Sequence, residues 1–226
     1  MKRWPLAAVA ILATLLVAAE VQPRSNEAIK RNNFGAELLK QERLEEAAAE
    51  FQRAVEADPD YGAARLNLGD AYERLGRAEE AMAEYRKVIE LDPGNLFAHN
   101  NLGVLYDKKG LYDDAIAEFE EALRINPSDA TARKNLETAK RNRGIIRERE
   151  ERLAQARKEV EAHPTSPRAS YNLARIYASF DEKEKAFEWI ARALELGFDD
   201  FALMKNDPAL AALSGDPRFT GLLQGR

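Results

Sequence analysis

The chain has no cysteine among its 226 residues. That excludes disulfides, thiol nucleophiles and thiolate metal sites, but it leaves the redox compartment open, since many exported proteins also lack cysteine. Histidine is almost as scarce. His99 and His163 are the only two, and neither stands at ligand spacing from a carboxylate, so no metal or catalytic site is expected at them. Glycine-rich phosphate loops, a nucleophile elbow and a two-histidine metal helix are missing as well, and no cofactor is expected. Charged residues make up 32% of the chain but nearly cancel, leaving −5, so nothing favours nucleic acid as a partner.

Long apolar runs are also lacking, with one short exception. Leu6 to Ala19 carries no charge, follows Lys2 and Arg3, and ends in Val17-Ala18-Ala19 before Glu20. A basic start, an apolar middle and small residues at the end are the three regions of a secretory signal. The run is short for a spanning helix, which needs about 18 apolar residues. Cleaved signal and uncleaved anchor both stay open for residues 1–19, and in either the basic end remains inside while the rest is exported. The expected location is periplasmic, free or anchored to the inner membrane, with membrane contact only through this segment. With no cysteine after the run, a lipoprotein-type N-terminus is excluded. Residues 20–25 read as a polar linker.

The remainder is repetition. Asn33-Phe34-Gly35 is followed by Ala47, Phe51, Ala54 and Pro59; Asn67-Leu68-Gly69 by Tyr72, Ala81, Tyr85, Val88 and Pro93; Asn101-Leu102-Gly103 by Tyr106, Ala115, Phe119, Ala122 and Pro127. A fixed period of this size signals a stacked array of small units rather than one globular core. Apolar residues three and four apart make each unit a pair of helices. In the second unit these are Ala63–Leu75 and Ala78–Leu91, broken by Gly76 and stopped at Asp92-Pro93, because proline lacks the amide proton and forces the residue before it out of helical geometry.

These residues resemble the tetratricopeptide repeat, with its W-x2-L-G-x2-Y…A-x3-F…P pattern. The resemblance implies an all-α helix–turn–helix solenoid. Three clear repeats occupy 28–61, 62–95 and 96–129 within residues 26–129, and a short C-terminal helical cap occupies 201–226. Arg31, Arg65 and His99 stand where the pattern has tryptophan, and Leu38 where it has the first tyrosine. Gly35, Gly69 and Gly103 are expected to let the paired helices close, with Ala47, Ala81 and Ala115 opposite. Phe51, Tyr85 and Phe119 are expected to fill the space between neighbouring units. The acidic pairs Glu45-Glu46, Glu79-Glu80 and Asp113-Asp114 recur with the period, which suits helix N-termini better than a catalytic pair, needed only once.

Beyond Asp129 the pattern drifts. Asn135-Leu136 keeps the register, but Glu137 and Lys140 replace the glycine and the tyrosine. Gly144 stands at the turn position, so residues 130–166 are a degenerate repeat with a second helix from Ile145 to Ala162, or one long helix through Gly144. Residues 167–200 form a further degenerate repeat around ASYNLARIY, Ala186 and Ala193. Asp207-Pro208 and Asp216-Pro217 read as starts of closing helices, with aspartate as cap and proline at the first helical position.

One repeated residue carries a mechanism. Asn33, Asn67, Asn101 and Asn135 are 34 apart, and Asn172 follows 37 later. The resemblance places this position on the first helix, which lines a concave groove in the family. A row of amides there offers a donor and an acceptor at each rung, matching the peptide units of an extended partner. Leu66, Phe97 and Val104 would add apolar selectivity, and Asp70, Arg74, Asn100 and Lys108 polar selectivity. The family variant that clamps a C-terminal carboxylate needs cations that are not here. Its places hold Asn32, Ala36, Asn67, Phe97 and Asn101, so that function is not carried over. The expectation is a non-enzymatic scaffold or adaptor of the cell envelope that binds a protein or peptide segment. Alternatives are a structural protein that self-associates, or an accessory subunit of an enzyme complex.

Overall fold

The computed structural model describes residues 25–224, so the export segment of residues 1–19 lies outside them. All regular structure among the described residues is helical. The chain divides into two compact units, one running to Glu137 and the other starting at Thr138.

The first unit contains α1 (Asn26–Lys40), α2 (Leu44–Ala57), α3 (Gly62–Arg74), α4 (Ala78–Leu91), α5 (Leu96–Lys108), α6 (Tyr112–Ile125) and the start of α7 (Ala130–Ala162). Helices pair in sequence order, and successive pairs meet through α2–α3 and α4–α5. Each pair turns on a left-handed residue at the same place: Glu42 (φ 61°), Gly76 (φ 75°) and Gly110 (φ 75°). The amide three residues past each first helix then bonds back to a carbonyl in its last turn, as in Arg77 N to Tyr72 O at 2.8 Å, which closes the helix end. At the far end of each pair, Asp58, Asp92 and Asn126 are extended before a proline, as steric clash with the proline ring requires.

The packing rests on a glycine and a ring. A Cβ added to Gly35, Gly69 or Gly103 would stand 2.8, 2.4 or 2.7 Å from Phe51, Tyr85 or Phe119. Each aromatic is therefore seated first on the glycine of its own pair, not only between units as the sequence suggests. It also faces the next pair: Leu68 shares a core cluster with Phe51, and Leu102 with Tyr85. On α1, Lys30, Phe34 and Glu37 are exposed where Ala64, Leu68 and Ala71 of α3 are buried, so α1 leaves open the face that α3 packs against the pair before it.

The fourth repeat is opened out. Ala132 and Ala139 are buried at the places that Ala98 and Leu105 hold in α5, so α7 starts as another first helix. Glu137 and Lys140 then offer no seat for a returning partner and are exposed. Folding a helix back onto them would bury two charges, whereas a glycine inside a helix costs only about 1 kcal/mol. The chain accordingly runs straight through Gly144 as one helix of 33 residues. Of the two alternatives left open by the sequence, this is the long helix.

The second unit comprises the rest of α7, α8 (Pro167–Ser179), α9 (Lys183–Glu195), α10 (Phe201–Asn206), a 3-10 helix (Pro208–Leu213) and α11 (Pro217–Gln224). Leu153 and Ala156, three periods after Phe51 and Ala54, are buried in one core with Leu173, Ile190, Met204, Leu210 and Phe219. Ala174 and Ile190 hold the glycine and aromatic places, both fully buried; a larger seat is matched by a smaller occupant. Asp207 caps the 3-10 helix through Ala209 N at 2.9 Å and accepts the Tyr171 hydroxyl at 2.7 Å, which ties the closing helices to α8.

Candidate functional site

Spacings of four, three and four keep residues on one side of a helix. On α3 this side carries Ala63, Asn67, Asp70 and Arg74, and on α5 it carries Phe97, Asn101, Val104 and Lys108. The asparagines of the row are anchored by the neighbouring repeat. Asn67 donates to Asn32 Oδ1 at 2.8 Å, and the buried Asn32 donates in turn to the Tyr61 hydroxyl at 3.3 Å. Asn135 donates to Asn100 Oδ1 at 3.1 Å. Asn101 has no such partner, because Leu66 stands 35 residues before it; its amide lies near the Tyr85 hydroxyl and opposes the rise of that phenol. Asn67 and Asn135 thus spend part of their bonding capacity within the protein, and their orientation is fixed by those bonds.

Between α3 and α5 lies a compact charge cluster. Tyr85 hydroxyl donates to Glu73 at 3.4 Å, Lys108 pairs with Glu73 at 2.7 Å, and Arg74 reaches back to Glu42 at 2.6 Å. Burial pushes the Tyr85 phenol well up, helped by Glu73 and Asp70. Asp70 itself is half-buried and forms no hydrogen bond or ion pair among the described residues. Burial raises its carboxyl above the ordinary range, with Arg74 opposing and Glu73 adding to the effect. Beside it, Leu66, Asn100 and Val104 are half-buried, Arg74 and Lys108 are exposed, and Phe97 is 65% exposed.

The tetratricopeptide repeat family pattern matches residues 33–95 and 150–201, together more than half of the chain, and a second pattern of the same description matches residues 97–129. The chain belongs to the tetratricopeptide repeat family. Solved structures share its fold, tetratricopeptide domains among them. The Sgt2 TPR domain from Aspergillus fumigatus superposes with TM-score 0.53 at 20% identity, covering 56% of this chain and 87% of that one. The MamA RS-1 ArsTM double mutant gives 0.52 at 21% identity, covering 77% and 96%. The first TPR of Spaghetti (RPAP3), solved bound to the HSP90 peptide SRMEEVD, gives 0.51 at 21%, covering 54% and 96%. No curated protein matches the sequence.

Within the repeat array the predicted residues divide. Asn33 is exposed on α1, where no earlier described repeat supplies a partner. Asn67, Asn101 and Asn135 follow on α3, α5 and α7 of the same unit. Asn172 belongs to the second unit, where with Arg152, Gln155, Ala156, Arg175 and Ile176 it lines a cavity of about 540 Å³. Tyr61 and Glu73 were not singled out from the sequence, and Asn32 and Tyr85 only as a clamp place and a packing ring, although Asn32 and Asn100 stand 35 residues before Asn67 and Asn135. No group of three or more histidine, aspartate or glutamate side chains able to hold a metal ion occurs among the described residues.

Proposed function

We propose that this chain is a non-enzymatic protein-interaction scaffold of the cell envelope, whose first-unit groove holds an extended segment of a partner protein by its main chain. The observation that carries this reading is the anchoring of Asn67 and Asn135 by neighbouring repeats. An amide already fixed in orientation loses little further freedom when it meets a peptide unit, and that loss is a main cost of binding. The RPAP3 domain of the same fold, solved with an HSP90 peptide, supports use of the groove. The acidic character of that peptide is not transferred. Asn32 is committed to Asn67 and Tyr61, and Phe97 stands where the clamp has a cation. Residues 1–19 are the export signal or anchor in this reading.

The test is site-specific photo-crosslinking in the full chain. A benzophenone side chain at Phe97, on the groove, is compared with one at Ala83, exposed on α4. Protein adducts are expected from position 97 and not from position 83. Equal adducts, or adducts at 83 alone, sink the groove reading. Intact-mass measurement of the exported chain decides whether it begins at Glu20.

A further inference from the structure

The charge cluster on the groove floor does not balance. On this face the carboxylates of Glu42, Glu73 and Asp70 share two cations, Arg74 and Lys108, and Arg74 acts on Asp70 through its charge alone. Arg74 bonds Glu42, and Lys108 bonds Glu73. Asp70 is left over. It is also the one charged residue at its place in the first three repeats, where Ala36 and Val104 are its counterparts. A half-buried carboxylate with no hydrogen-bond donor among the described residues is unfavourable, since burial removes water without supplying a replacement. Along the same face Asn67 stands one turn before it, and Val104 holds the equivalent place on α5. The exposed ring of Phe97 lies two turns from Val104 on α5, about 10 Å along that helix axis.

We propose that this groove selects a basic segment, in which a lysine or arginine of the partner pairs with Asp70 and separate apolar side chains cover Val104 and Phe97. This inference rests on the groove reading above and gives its ligand a sign. The recognition is opposite in charge to a carboxylate clamp. A cation of the ligand completes the cluster to three of each sign, and it replaces the missing donor of Asp70. Apolar contact of the segment with Val104 and, two turns away, with Phe97 adds burial separate from the ion pair. Main-chain bonding to the asparagines would then hold the segment extended while Asp70 sets its register.

A library of randomised octapeptides, acetylated and amidated so that no terminal charge contributes, tests this with the full chain. The selected peptides are expected to be enriched in lysine or arginine next to an apolar residue. Asp70→Asn should remove the basic enrichment and weaken the best lysine peptide about tenfold, as loss of a hydrogen bond to a charged group predicts. Asp70→Lys should turn the preference toward aspartate and glutamate. Unchanged helicity and melting of both variants keep the comparison on binding. Selection of acidic peptides by the native chain, or basic selection that survives Asp70→Asn and Asp70→Lys, overturns the inference while leaving the groove intact. If no peptide is retained above blank beads, the inference and the groove reading fall together.

Discussion

His99 meets the Glu118 carboxylate with Nδ1 at 2.7 Å and the Pro93 carbonyl with Nε2 at 3.1 Å. The same bridge recurs through the array with arginine. Arg65 joins Glu84 at 2.8 Å and the Pro59 carbonyl at 2.8 Å, and Arg31 joins the buried Glu50 at 3.1 Å. Each of these side chains stands where the family has tryptophan. A polar link from the first helix to the second, and to the proline that ends the previous repeat, takes over the role of a packed indole.

The bridge predicts a graded response at one position. Arginine has donors for both acceptors, whereas a neutral imidazole has only one. His99→Arg should therefore keep or raise the thermal midpoint. His99→Ala leaves the half-buried Glu118 and the carbonyl without their donor and should destabilise by about 1–3 kcal/mol. Urea unfolding followed by circular dichroism measures both. Equal stability of the Ala variant and the native chain would remove the bridge as a source of stability.

Two glycines should respond in opposite directions. Gly69 is seated under Tyr85, and a methyl there would come within 2.4 Å of the ring. Overpacking of this kind costs about 1–3 kcal/mol, so Gly69→Ala should lower the melting point. Gly144 lies inside α7 with nothing within 4 Å of an added Cβ. Gly144→Ala should raise stability by up to about 1 kcal/mol through helix propensity. A drop for Gly144→Ala would mean that the long helix is not the stable form of residues 130–162.

Much of this architecture was readable before any coordinates. Period, turns and proline stops define the helix pairs, because they depend on local sterics that single residues dictate. The opened fourth repeat was legible in part: Glu137 and Lys140, standing where a glycine and a tyrosine are needed, already argue against a returning helix. The bridges were legible too. Arg31–Glu50, Arg65–Glu84 and His99–Glu118 share a spacing of 19 residues, a signal masked by looking for short ligand spacings around histidine. What was hidden is the use made of the asparagines. Whether an amide faces solvent or its neighbour depends on contacts between repeats, and only the pairs at a spacing of 35, Asn32 with Asn67 and Asn100 with Asn135, hint at it.

That use of the amides changes how the groove is tested by mutation. Asn67→Ala strands the buried Asn32 carbonyl oxygen and should cost about 1–3 kcal/mol, so a lost partner in that variant has two explanations. Phe97 is 65% exposed, and Phe97→Ser should shift stability by less than about 0.5 kcal/mol while weakening a groove ligand. Thermal melts of the two variants, side by side, check the difference. Similar melting of both would mean that the Asn67–Asn32 bond contributes little.

In the second unit, stability should depend on the charge of Asp207. Burial works against its ionisation, but the Tyr171 hydroxyl, the Ala209 amide and the Arg175 guanidinium outweigh it and hold the carboxyl below its ordinary value. A carboxyl depressed in the folded state stabilises above its unfolded value, near 3.9, and that contribution is lost as pH falls through the folded value. Asp207→Asn removes the charge and should be less stable at pH 7 by about 1–3 kcal/mol. The gap between native and variant should then narrow as pH falls below about 4. Trp189 packs against the core of this unit, so its fluorescence in a Trp4→Phe background follows the transition in urea at each pH. A gap that stays constant down to pH 2 would show that Asp207 acts through its shape alone. A gap that widens would contradict the sign of the linkage.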